Sequence, residues 1–95
     1  MRCNKLKYTG HAIEFMAKRE IKEQDAEHAI INGETIELYP DDKPFPSRLI
    51  FAIVNERPIH IVIGYDELTQ ACYVITAYEP NTDKFELDFK TRKRK

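Results

Sequence analysis

Glycines, cysteines and long apolar runs are scarce in this chain, and each scarcity excludes something. The three glycines, Gly10, Gly33 and Gly64, stand isolated, so no glycine-rich loop is available to cradle a nucleotide phosphate. The two cysteines, Cys3 and Cys72, have neither paired spacing nor the neighbours that make a zinc site. They read as free thiols in a reducing cytoplasm. The longest apolar runs, LIFAIV and IVIG, are far too short to span a bilayer. The opening residues, MRCNKLKYTG, lack the apolar stretch of a signal peptide. His11, His28 and His60 fall on three different segments without an HExxH pattern or a carboxylate cluster, which argues against a metal centre and leaves no cofactor implied.

What is present points to one globular domain over residues 1–95. The chain is 42% hydrophobic and 33% charged, a balance that suits a folded domain rather than a disordered one. Its net charge of −1 is unevenly placed: five of the fifteen basic residues lie in the last six positions, 90–95, so the remainder carries ten cations against sixteen acids. The body is acidic and the tail basic. Such a tail reads either as a solvated end or as a nucleic-acid contact.

The organising stretch is Pro58 to Tyr78. Ile59, Ile61 and Ile63 alternate with His60, Val62 and Gly64, and Tyr73, Ile75 and Ala77 alternate with Val74, Thr76 and Tyr78. Period two predicts a hairpin with one apolar face and one face carrying polar groups. Pairing Tyr65 with Ala71 across DELTQ sets His60 opposite Thr76, with Tyr78 diagonal to it. Upstream, Thr9 offers an N-cap oxygen to a helix over 10–20, whose Ala12, Phe15, Met16 and Arg19 share a face. A second helix is expected near 22–32, closed by Gly33 as a left-handed residue. RCNKLKY reads as a short strand or coil, ETIELY as a strand, PDDKPFP as a long turn, and RLIFAIV as a strand buried on both faces. NERP turns the chain into the hairpin and leaves His60 opposite Ile53 or Val54. KFELDFK is a last strand or a docking segment. The expected fold is α+β, with two N-terminal helices packed on one face of a mostly antiparallel sheet of about four strands. Its isoleucine face lies under the helices.

The polar candidates are His60, Thr76 and Tyr78 on the sheet, Arg48 at the head of a strand, and His11, Lys18 and Arg19 from the first helix. Each has a bland reading: a packed histidine, a helix-start imidazole, an arginine covering apolar surface and paired to an acid. Together they resemble what metal-free RNA cleavage needs. One group takes the 2′-hydroxyl proton, another protonates the leaving oxygen, and cations stabilise the phosphate as charge develops. Imidazole can serve either proton-transfer role.

HAIEFMAKREI, AIINGETIELYPDDKPFPSRLIF, RPIHIVIGYDE, CYVITAYEPN and KFELDFKTRKRK, in that order and spacing, resemble a small bacterial family known as domain of unknown function 4258. The resemblance runs from His11 to about Arg92. The family's recurring positions map onto His11, Arg19, Gly33, Tyr39, Pro40, Arg48, His60, Thr76, Tyr78, Pro80 and Arg92, whereas Phe15, Met16 and Lys22 depart from its pattern. That family is similar in outline to the RelE-like and BrnT-like toxins of type II toxin–antitoxin pairs. The resemblance therefore implies a metal-independent endoribonuclease, an mRNA interferase, with a small antitoxin partner of zinc-ribbon type and no membrane association. On this reading His60, Tyr78 and Arg48 are catalytic, while His11, Lys18, Arg19, Thr76 and Arg92 bind RNA. The alternatives are a non-catalytic protein-interaction domain and a catalytically silent remnant of the same fold.

Overall fold

The computed structural model describes residues 3–92. Strand β1 (Lys5–Tyr8) leads into helices α1 (Gly10–Lys18) and α2 (Glu23–Asn32), followed by strands β2 (Glu34–Tyr39), β3 (Ser47–Val54), β4 (Arg57–Asp66) and β5 (Ala71–Tyr78). The five strands form one sheet in the order β1-β5-β4-β3-β2. Its last four strands are an antiparallel meander, and β1 adds to β5 in parallel. The sheet thus has one strand more than the four expected, because the short lead-in pairs with the far end of the hairpin. Among the described residues no helix is long and apolar enough to cross a membrane.

Both helices pack on the isoleucine face. Ala12 and Met16 of α1 and Ala26 and Ala29 of α2 bury against Ala52, Val54, Ile59, Ile61, Val74 and Ala77. Small alanines let the helices approach the sheet closely, and each isoleucine so buried is worth roughly 1.5–3 kcal/mol. Thr9 caps α1 as expected, its hydroxyl accepting from the Ala12 amide at 3.1 Å. The helix closes with the Ile21 amide donating to the Met16 carbonyl and the Glu20 amide to that of Ala17, around a left-handed Glu20 with φ of 56°. This pair of bonds is a Schellman closure, and the accompanying apolar contact comes from buried Met16 and Ile21. Lys22, at the N-cap of α2, contributes no side-chain bond.

Four local expectations are corrected. Gly33 is extended (φ −78°, ψ 174°), not left-handed; glycine is required because a Cβ there would overlap the Ala29 carbonyl oxygen and lie 2.8 Å from that of Phe51. The β3–β4 turn places Asn55 and Glu56 at φ of 53° and 66°, a two-residue hairpin that pairs Val54 with Arg57 and puts His60 opposite Phe51, not Ile53 or Val54. In the β4–β5 hairpin Tyr65 pairs with Cys72, and a bulge across Val62/Ile63 restores the phase so that His60 faces Tyr78 directly while Thr76 faces Val62. The cysteines are not free thiols: Cys3 and Cys72 form a disulfide with Cα atoms 5.4 Å apart, tying the start of β1 to β5. The free-thiol argument for a reducing compartment falls with it.

The face opposite the helices is covered as well. After β5 the chain turns back across the sheet as an irregular strap over residues 79–92, making only an isolated bridge, Phe85 to Arg92, rather than a sixth strand. Phe85 is buried, so KFELDFK is a docking segment. Lys90 Nζ meets Glu34 at 3.1 Å, and the Arg92 guanidinium binds both oxygens of Glu37 at 2.6 and 3.0 Å, clasping the strap to β2. The first two cations of the basic tail are therefore engaged with acids of the sheet, and residues 93–95 lie outside the described region.

Candidate functional site

The strap, the end of β5 and the C-terminus of α1 enclose a cleft of about 670 Å³. Arg19, Arg57, Lys84 and Arg92 line it together with Tyr78 and Glu79, so four cations from three separate segments, the end of α1, the start of β4 and the strap, converge on one recess. Each arginine is held by the local fold. Arg19 follows α1, donates from Nη1 to the Ala77 carbonyl at 2.9 Å and lies with its guanidinium carbon 4.7 Å from the Phe15 ring centre; the acid partner expected for it is replaced by a backbone carbonyl. Arg57 opens β4 and donates to the Glu20 and Arg19 carbonyls at 2.7 and 2.5 Å, satisfying the exposed end of α1, while its Nε pairs with Glu79. Arg92 stacks over Phe85 at 4.8 Å. A guanidinium has five donors, so these anchors fix the groups while leaving donors for an anion.

Tyr78 sits between the cleft and the sheet. Burial raises its pKa, against the pull of nearby Arg92, so at neutral pH the phenol keeps its proton. Behind it, His60 has no exposed surface. Its ring is enclosed by Phe51, Tyr78 and Phe85, with centroids 5.9, 5.4 and 4.7 Å away. Nε2 lies 2.6 Å from the Phe89 carbonyl oxygen and must donate to it, so Nδ1 is the bare nitrogen, buried without a hydrogen-bond partner among the described residues. Desolvation depresses the pKa of this histidine, opposed by the Phe89 bond and by Glu37.

Arg92 in turn holds the Glu37 carboxyl below its ordinary range. Tyr39, whose hydroxyl donates to the same carboxylate, is pushed up to about 12, first by burial and then by that bond.

The structure brings Tyr78, Arg19 and Arg92 together at the cleft, with His60 immediately beneath Tyr78. It does not bring Arg48 there. Arg48 pairs with Ile63, a residue of the helix-facing set, so its side chain leaves the sheet on the side opposite His60 and Tyr78. Its nearest polar contact is Thr35 Oγ1 at 3.5 Å. Thr76 shares the His60 face but pairs with Val62 and does not line the cleft. His11 is exposed on α1, and Lys18 ion-pairs with Glu14 at 3.2 Å. Arg57 and Lys84 were missed by sequence reasoning: the first looked like part of the NERP turn, the second like the opening residue of the KFELDFK strand or docking segment, and only the fold of the strap places them beside Tyr78.

A family model described as a domain of unknown function (DUF4258) matches residues 8–79. No curated protein and no solved structure matches the chain.

Proposed function

The chain belongs to the DUF4258 family, and from its cationic cleft we propose that it is a toxin-like, metal-independent endoribonuclease that binds the RNA phosphodiester between Arg19, Arg57, Lys84 and Arg92. The observation that carries this reading is the convergence of those four cations on protonated Tyr78. In the reaction the 2′-oxygen attacks the adjacent phosphorus, its proton passing to the Glu79 carboxylate, which lines the same cleft. The bond from phosphorus to the 5′-oxygen breaks, and Tyr78 donates its proton to that oxygen. The guanidinium groups stabilise the charge that accumulates on the phosphoryl oxygens. His60, enclosed behind Tyr78, is a positioning residue rather than a group that meets RNA.

The products would be a 2′,3′-cyclic phosphate and a free 5′-hydroxyl. Tyr78→Phe should lower single-turnover cleavage of a labelled RNA by about 10²-fold or more, with EDTA leaving the wild-type rate unchanged. Full cleavage by Tyr78→Phe, or loss of activity in chelator, would remove the mechanism. A protein antitoxin that inhibits the enzyme would have to cover this cleft with acidic groups. A second reading, a non-catalytic interaction domain, is favoured by the exposed Leu38 and Leu68 beside a separate recess of about 450 Å³ that also contains Phe45, Arg48 and Tyr65. RNA binding unaffected by Lys84→Ala and Arg19→Ala would favour it.

A further inference from the structure

His11 and Phe15 of α1 and Arg19 at its C-cap recur at i, i+4 and i+8, which places them along one side of the helix. The His11 and Phe15 ring centres are 4.4 Å apart with planes tilted by 33°, and the Arg19 guanidinium lies 4.7 Å from the Phe15 ring. Three planar side chains thus form a column about 12 Å long at 1.5 Å rise per residue, and its last member, Arg19, lines the cleft. The column is not part of the core. α1 buries Ala12 and Met16, whereas His11 is exposed and Phe15 only half-buried. Nor is it a phosphate track: Lys18, whose Nζ lies 5.0 Å from the Phe15 ring centre, is paired with Glu14 at 3.2 Å, which leaves Arg19 as the column's one uncancelled full charge, while a base stacking on Phe15 would take the ring face that Lys18 now covers.

We propose that this column is a nucleobase-stacking subsite for single-stranded RNA, taking the base next to the phosphate held in the cleft; the inference rests on the RNA reading above. Every base has a flat π face, so stacking on a phenyl, imidazole or guanidinium plane binds single strands with little sequence preference. Bases of a duplex are already stacked on one another and cannot deliver a face to the helix without unpairing. The division of labour is consistent with the charges: cations cluster where the phosphate goes, and planar groups line the path leading away from it.

The test uses the full chain and fluorescence anisotropy with a short labelled single-stranded RNA made non-cleavable by 2′-deoxy substitution, the same RNA with single abasic positions, and a blunt RNA duplex. Inorganic phosphate serves as competitor for the cleft. Phe15→Leu, which keeps apolar bulk but removes the ring, should weaken single-strand binding about 5- to 100-fold, with the duplex affinity, the phosphate competition and the salt slope unchanged. One abasic position should reproduce that loss in the wild type and cost nothing further in Phe15→Leu. His11→Ala, a change at an exposed position, should weaken single-strand binding in the same direction without lowering the melting temperature, which guards against a folding defect at Phe15. Single-strand affinity unchanged in both variants, while Lys84→Ala still weakens RNA and phosphate binding, would overturn the stacking subsite and leave the cleft reading standing. Absence of wild-type binding to RNA and to phosphate would instead overturn the cleft reading, and the subsite with it.

Discussion

Among the described residues His60 makes one hydrogen bond, from Nε2 to the Phe89 carbonyl, and keeps a bare Nδ1 without a partner, so protonating it requires placing a cation among Phe51, Tyr78 and Phe85. Glu37 and Arg92, the charged groups facing it, act in opposite directions, and burial sets the net shift downward from 6.5. The sign follows from linkage: between the folded pKa and 6.5 the unfolded chain binds more protons than the folded one, so stability is complete above 6.5 and declines as pH falls through that window. Urea-unfolding free energies should therefore drop from pH 7.5 to 5.5 in the wild type and much less in His60→Gln, where position 60 no longer titrates; parallel curves would refute the assignment. Gly33 makes a second residue-scale test. Because a Cβ there meets the Ala29 and Phe51 carbonyl oxygens as well as the Ile50 Cγ2 methyl at 2.5 Å, Gly33→Ala should cost roughly 1–3 kcal/mol in the same assay. A neutral result would mean that the end of α2 can shift away from β3.

At the scale of elements, β1 is the weakest part of the sheet by length: four residues, paired on one side only, to β5. The Cys3–Cys72 disulfide closes a 69-residue separation at its root, and in the chain-entropy account a loop of that size contributes about 4 kcal/mol. Reduction should lower the unfolding free energy by about 2–4 kcal/mol and speed amide exchange at Leu6 and Tyr8 ahead of β3 and β4. Exchange that accelerates uniformly would show that β1 has no separate opening. The strap is the opposite case, an element without regular hydrogen bonding that is held by buried Phe85 and by the Glu34 and Glu37 ion pairs. Half-exposed pairs of this kind are individually weak, so the aromatic contact with His60 is the stronger tether, and it is also what closes the cleft over Tyr78.

For the whole molecule, the near-zero net charge conceals a local concentration: four of the fifteen cations line one cleft. Lys84, like Arg19, is a cleft cation for which no ion pair is found among the described residues, and it lacks the backbone anchor that Arg19 has. Lys84→Ala should therefore reduce the salt slope of single-stranded RNA binding by about 0.7, the release expected for one phosphate, while melting temperature stays constant. An unchanged slope would place the phosphate elsewhere.

Local pattern was enough for much of this fold. The continuous apolar run of β3, the period-two runs of β4 and β5, the Thr9 cap and the helical spacing of Ala12 and Met16 are written into neighbouring residues, and neighbouring residues dictate which face of an element is apolar. The sheet under two helices, and His60 and Tyr78 on the face turned away from them, followed from that alternation. Phase and closure were decided elsewhere. A one-residue shift at the DELTQ turn and a one-residue bulge in β5 together moved Tyr78 directly opposite His60, since each shifts every pairing beyond it, and nothing in the local sequence announces either. The disulfide, the parallel addition of β1, the strap that buries His60, and the meeting of Arg19, Arg57, Lys84 and Arg92 all join residues far apart in the chain. Such contacts depend on how completed elements pack in three dimensions, and so only the tertiary structure could reveal them.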